Sequence, residues 1–245
     1  MNIRDLSKIC FDFFFPHRCF SCRKIVQDAE GLCNVCWLKI SFVQKPCCIK
    51  CSRPLSYQGG SYHLCGECIN NDPSFDKLYF AMIFNDFTKS LIHNFKFYDQ
   101  LYLSKFFARI ISNYWQDEFN EIDYIIPVPM HRTRMIIRKF NQAALLSQNI
   151  ALIIKKKNIL NGLIKYKKTV QQVGLNKQQR KKNIKDSINL NSKYMNVIKN
   201  KNILLVDDVF TTGATVNECA KVLKLAGVAS VTVVTIARVL PDFVE

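Results

Sequence analysis

No apolar run in this sequence is long enough to cross a bilayer. The longest, such as Ile203–Val206 and Val231–Ile236, have the length of strands, far short of the roughly 20 residues a spanning helix needs. A secretory leader is also missing. The aromatic stretch Cys10–Phe15 is interrupted by Asp12, and no small-residue cleavage site follows it. These absences predict a soluble, cytoplasmic protein without a membrane span. Acid is nearly absent from one long stretch: between Tyr124 and Val206 only Asp186 is acidic, while Lys and Arg recur, and the chain carries a formal charge of +16. Such a field attracts phosphate-rich ligands, either a small polyphosphate or a nucleic acid. A lysine-rich compositional bias on a solvated surface, in keeping with only 8 glycines beside many Asn and Ile, accounts for the lysines equally well. Disorder is excluded, because 49% of the residues are hydrophobic. A chain of 245 residues holds one moderate domain plus a small one, or a single larger one.

Cysteine is abundant and unevenly placed. Ten of the eleven lie between Cys10 and Cys68, and eight form the C-x-x-C pairs Cys19/Cys22, Cys33/Cys36, Cys48/Cys51 and Cys65/Cys68. Without a leader, this pattern predicts metal ligation in place of disulfides. Two such pairs put four thiolates within reach of one tetrahedral Zn2+. The intervening segments Arg23–Leu32 and Ser52–Leu64 carry turn formers (Gly31; Pro54, Gly59 and Gly60), which predicts sequential pairing into two sites. Four thiolates with no open position make a structural site, and metal would supply much of the folding free energy of so small a unit. Cys10 and Cys47 are spare, the spacing favouring Cys48 over its neighbour. His17 and His63 border the ribbons as substitute ligands. Cys219, alone in a helical stretch, predicts a small buried apolar residue.

Near the C-terminus the residue types change. The apolar run Ile203–Val206 is that of a strand covered on both faces, and Asp207 and Asp208 mark its carboxyl end, where open α/β sheets bind ligands. Thr211, Thr212, Gly213, Ala214 and Thr215 form a small, hydroxyl-rich turn opening the amphipathic stretch Val216–Ala226, with Gly227 as its C-cap. Strand, turn and helix N-terminus together make an anion cradle. This segment resembles the phosphoribosyl-pyrophosphate (PRPP) motif of type I phosphoribosyltransferases. The resemblance implies that Asp207 and Asp208 hold the ribose 2′- and 3′-hydroxyls as catalytic residues. It also implies that the turn from Thr211 to Thr215 holds the 5′-phosphate of PRPP or a related ribose 5-phosphate, with Mg2+ accompanying the ligand. A Rossmann-like turn that binds another phosphate, or nothing, is the alternative.

A broader resemblance covers nearly the whole chain. A double zinc ribbon followed by this motif is the layout of the ComF-type family, associated with DNA uptake in competent bacteria. Further matching stretches are Ile92–Phe97, Ile126–Arg132 with Arg138–Gln142, and Gln172–Asn176 with Arg180–Asn183. The chain departs from the pattern at Lys139, where glycine is usual, and at Ile188, where an aromatic residue is usual. The resemblance implies pyrophosphate contacts from Arg132, Arg134 or Arg138, and a mobile loop over Lys167–Asp186 in which Arg180 and Asn183 are candidate catalytic groups. Three solvated arginines and a plain surface loop are the competing readings. His93–Tyr98, with Lys96 among aromatics, suits stacking on a base or single-stranded nucleic acid, whereas helical spacing suits a core. The sequence gives no ground for assigning His93 or His131 as a catalytic base.

The expected architecture is α/β: a mainly parallel sheet flanked by helices, type I phosphoribosyltransferase-like, over 73–245, after a cysteine-rich double zinc ribbon over 1–72. Strands are predicted at Lys77–Phe84, Asp123–Val128, Leu163–Tyr166, Ile203–Val206 and Ser230–Ala237, and a helix from Asn141 to Lys156. Two functions follow. One is a phosphoribosyltransferase that transfers ribose 5-phosphate from magnesium–PRPP to an acceptor. The other is a non-enzymatic adaptor of the competence machinery that binds single-stranded DNA or a helicase, its PRPP pocket regulatory or vestigial.

Overall fold

The computed structural model describes residues 16–27, 31–55, 63–71, 73–97, 101–167, 179 and 184–240. At its centre lies β6 (Asn202–Phe210), flanked by β7 (Ser230–Arg238) and β2 (Tyr124–Pro127). The sheet is completed by β1 (Lys77–Ile83) beside β7 and β3 (Lys157–Asn158) beside β2, giving the order β1-β7-β6-β2-β3 with every pairing parallel. Ile203–Val206 has no polar phase because the sheet is covered twice. Leu204 and Val206 enter one core and Ile203 and Leu205 the other, all fully buried, as the two-residue pleat requires.

The first face is packed by α3 (Asp86–Phe97), α4 (Tyr102–Tyr114) and α6 (Gln142–Ile154). The second is packed by α8 (Ala214–Leu225) and by a small antiparallel sheet of β4 (Leu163–Lys165) and β5 (Ile188–Leu190). The shorter α-helices are α1 (Asn34–Trp37), α2 (Gly66–Asn70), α5 (Arg132–Arg138) and α7 (Met195–Ile198), and 3-10 turns lie at Gln116–Phe119 and Ser192–Tyr194. Among the described residues no helix is long and apolar enough to cross a membrane.

The cysteine-rich segment lies along the outer edge of β1. The Val43 N–H donates to the Ala81 carbonyl at 3.1 Å, Ile83 N–H to Ser41 at 2.7 Å and Leu78 N–H to Lys50 at 2.8 Å. An otherwise open strand edge is thereby closed. The segment also enters both cores, with Phe20, Ile40 and Val43 on one face and Cys48, Cys51 and Cys65 on the other.

Two expectations need correction. Leu163–Tyr166 is not a strand of the main sheet: Leu163–Lys165 pairs antiparallel with Ile188–Leu190, and the place beside β2 is taken by Lys157–Asn158. An apolar run three residues long does not name its partner, and a two-residue strand has no period to detect. The segment after β2, where a helix is expected only from Asn141, already contains helix α5, whose Met135, Ile136 and Ile137 are exposed. It buries no face, so no amphipathic pattern announces it. Leu204→Ala is expected to cost about 2–5 kcal/mol, read as a lower urea midpoint, because both sides of β6 are close-packed.

Candidate phosphate site and cysteine clusters

The C-terminal ends of β2 and β6 open into a cavity of about 470 Å³. It is lined by Asp207 and Asp208, by the whole turn from Thr211 to Thr215, and by Val128–His131 where the chain leaves β2. Asn141 holds the opposite wall. Its side-chain oxygen accepts from the Ala143 N–H at 3.1 Å, capping α6, and its amide donates to the Val128 carbonyl at 3.0 Å. The start of a helix is thus tied to the exit of a strand across the cavity mouth.

The turn requires glycine at its centre for two reasons. Gly213 has φ 71° as the N-cap of α8, a backbone region costly for residues with a Cβ. A Cβ there would also stand 2.4 Å from the Phe210 ring. The amides that follow open a twelve-residue helix, so their dipole is directed at the same space.

Charge in the cavity is arranged around the acidic pair. Lys96 Nζ lies 2.8 Å from Asp208 Oδ2, and the Asp208 N–H donates to Asp207 Oδ1 at 2.8 Å. Withdrawal from solvent, reinforced by the Asp208 charge, pushes the Asp207 carboxyl up to about 7. Lys165, only 8% exposed, is pushed down to about 8 by burial and by the nearby Arg134 guanidinium. Burial, and then Arg138, also lower the pKa of Arg134.

The candidate residues do not all meet here. Arg134 and Arg138 line the cavity; Arg132 is exposed and does not. Arg180 and Asn183 lie outside the described residues. Lys96 points its charge at Asp208, and the neighbouring Phe95 is fully buried against Phe107, a core position rather than a stacking platform. Lys139, where the ComF-type pattern has glycine, adopts φ 63° at the end of α5, the left-handed conformation that glycine would take freely. His131 lines the cavity and caps α5 through Nδ1, 3.3 Å from the Thr133 N–H.

Sequence reasoning overlooked Lys165 and Gln142. Lys165 shares its strand phase with buried Leu163, and a lysine in the apolar phase was the available signal. Gln142, 1% exposed, donates to the Lys96 carbonyl at 3.1 Å and accepts from Arg138 at 3.5 Å. It joins α3, α5 and α6, and nothing local marks it.

The cysteines gather as Cys19, Cys22, Cys33 and Cys36, and as Cys48, Cys51, Cys65 and Cys68, with the four sulfurs of each group all within 4.8 Å of one another. The Cys22–Cys33 and Cys51–Cys65 sulfur separations are 3.5 and 3.6 Å. Tetrahedral zinc with bonds of about 2.3 Å spaces its thiolates by roughly 3.8 Å, so both groups fit the ion. Pairing is sequential, and neither Cys47 nor either flanking histidine takes part. Cys219 is fully buried in α8.

A parallel sheet with a glycine-centred turn after its middle strand, preceded by two four-thiolate sites, defines a zinc-ribbon protein with a phosphoribosyltransferase fold. Comparison with known proteins agrees: residues 10–69 match a double zinc ribbon domain and residues 145–240 a phosphoribosyl transferase domain. Competence protein F of Haemophilus influenzae is 34% identical over 231 residues, covering 92% of this chain and 98% of that one. DNA utilization protein YhgH of Escherichia coli K12 is 27% identical over the same shares. Competence protein ComFC of Bacillus subtilis is 24% identical over 86% of each chain. The chain belongs to this ComF competence family, and its cysteine clusters are structural zinc sites.

Three measurements follow. Affinity for ribose 5-phosphate should be bell-shaped in pH. It should rise through about 7 as Asp207 ionises, and fall through about 8 as Lys165 loses its charge. Asp207→Asn should remove the acid limb in calorimetric titration. Metal analysis should find about two zinc ions per chain. Cys48→Ser should depress the thermal midpoint more than Cys22→Ser, since Cys48 is buried and Cys22 exposed.

Proposed function

We propose that the cavity binds magnesium–PRPP and that the protein transfers ribose 5-phosphate to an acceptor. The observation behind this reading is that the acidic pair, the phosphate turn and four basic side chains (Lys96, Arg134, Arg138 and Lys165) line one cavity. Asp207 and Asp208 accept hydrogen bonds from the two ribose hydroxyls. The turn amides and hydroxyls of Thr211–Thr215 donate to the 5′-phosphate. Arg134, with Arg138 beside it, faces the pyrophosphate end. Asp207 and Asp208 are the only carboxylates among the described residues lining the cavity, so magnesium is held chiefly by the ligand's own oxygens. When the C1–oxygen bond breaks, the electron pair leaves with pyrophosphate and positive charge develops on the ribose. The acceptor then bonds to C1 and releases its proton. The cavity's cations stabilise the leaving group, and its partial enclosure limits water as a competing acceptor. In this reading residues 1–72 and 73–245 are the two units, and the protein works in the cytoplasm.

The basic stretch around Asp186 and the family's competence members favour a second activity on the same scaffold: contact with single-stranded DNA or a helicase, with PRPP as the regulator. Titration of PRPP with magnesium separates the two. Asp207→Asn/Asp208→Asn should weaken PRPP binding by about 100-fold, two charge-assisted hydrogen-bond acceptors being lost. Wild-type protein that binds no PRPP refutes the reading. PRPP binding without pyrophosphate release, together with DNA affinity that falls steeply with salt, selects the second.

A further inference from the structure

Arg238 ends β7, beside the cavity wall, and is 3% exposed. A buried guanidinium must be accounted for by its partners. Nη1 donates to the Cys51 carbonyl at 2.8 Å, and Nη2 lies 2.9 Å from Glu67 Oε2. Cys51 belongs to the second cysteine cluster, and Glu67 lies on α2 between two other members, Cys65 and Cys68. On its other side the guanidinium stands over aromatic rings, 5.2 Å from the centroid of Phe210 and 5.9 Å from that of Phe80. Phe210 is itself buried, set edge-on to Phe75 at 6.0 Å, and its ring lies directly under Gly213. One side chain therefore touches the cluster on one side and the floor of the phosphate turn on the other.

We infer that Arg238 is a positioning residue that makes the conformation of the phosphate turn depend on the second zinc cluster. Four thiolates around a dication leave a net charge of about −2, which holds the guanidinium beside Cys51 and Glu67. With Arg238 held there, Phe210 is confined between the guanidinium and Gly213, and the turn can take only the shape that clears the ring. Without metal the knuckle loses most of its folding energy, and both acceptors leave Arg238. The charge then has to find solvent, and Phe210 is free to follow it. The first cluster has no such link among the described residues: its apolar neighbours, Phe20, Ile40 and Val43, pack on the opposite face of the sheet. This deepens the proposed PRPP reading by naming what controls the site, and rests on that reading for its functional meaning.

Hydrogen exchange of the full-length, zinc-loaded protein tests the coupling without any ligand. In Arg238→Met the amides of residues 213–216 should exchange about tenfold faster while two zinc ions per chain are retained, and Arg238→Lys should lie between. Chelating the metal from wild-type protein should loosen the same amides. Leu204→Ala serves as the control for general destabilisation and should leave them slow. Unchanged exchange in zinc-retaining Arg238→Met, or equal acceleration in Leu204→Ala, overturns the inference. Should Arg238→Met fail to fold, Glu67→Gln decides: a faster turn supports the coupling and an unchanged one refutes it. A turn that loosens as expected in a protein that never binds PRPP upholds the coupling and strikes only the identity of the ligand.

Discussion

Two neighbouring carboxylates at the end of a buried strand repel each other, and the surroundings of the cavity are arranged to contain that repulsion. Asp207 and Asp208 cannot move apart, because β6 is paired on both sides as far as Val206 and β7 continues the pairing to Phe210. Lys96 neutralises one from the end of α3, while Lys165 approaches the other from the small antiparallel sheet. Three separate segments are thereby drawn to one spot by electrostatics acting in a poorly solvated space, where such attractions are strongest. A pair of hydroxyls donating hydrogen bonds to both acids, as in the proposed ribose complex, would relieve the same repulsion.

The parts of this arrangement legible in the sequence were those encoded within a few consecutive residues. The run from Ile203 through Thr215 contains strand, acids, turn and helix start in order, and the C-x-x-C spacing encodes which cysteines meet. The main sheet's other long strands, at Lys77–Ile83 and Ser230–Arg238, were equally clear because burial on both faces leaves a continuous apolar run. Sequence reading was weaker where position depends on distant partners. Lys165 acquires its role only because β4 leaves the main sheet, and Gln142 only because α3 passes beside α6. The exposed apolar side chains of α5 follow no period at all. Arg238 fell just beyond the strand expected at Ser230–Ala237, with no local sign that its guanidinium would be buried.

The cysteine-rich segment is more than an appendage in this fold. Its backbone extends the hydrogen bonding of β1, and its side chains complete both hydrophobic cores. A ribbon stabilised by metal and seated against a sheet edge gains rigidity that its few apolar residues could not provide alone. The acid-poor stretch from Tyr124 to Val206 contributes a different property. Among its described residues Arg134, Arg138 and Lys165 line the cavity, a basic lining that suits a polyphosphate and a nucleic acid equally well.

The bond from Arg238 to Cys51 spans 187 positions of the chain. On a ribosome the ribbon emerges long before the strand that secures it. The nascent ribbon must therefore wait, with its thiols exposed and an apolar flank uncovered, until β7 has been made. Contacts so remote along the chain form slowly, because a long loop must close before they yield anything. Early capture of metal would shield those thiols during that interval, which gives the ion a part in biogenesis as well as in the finished molecule.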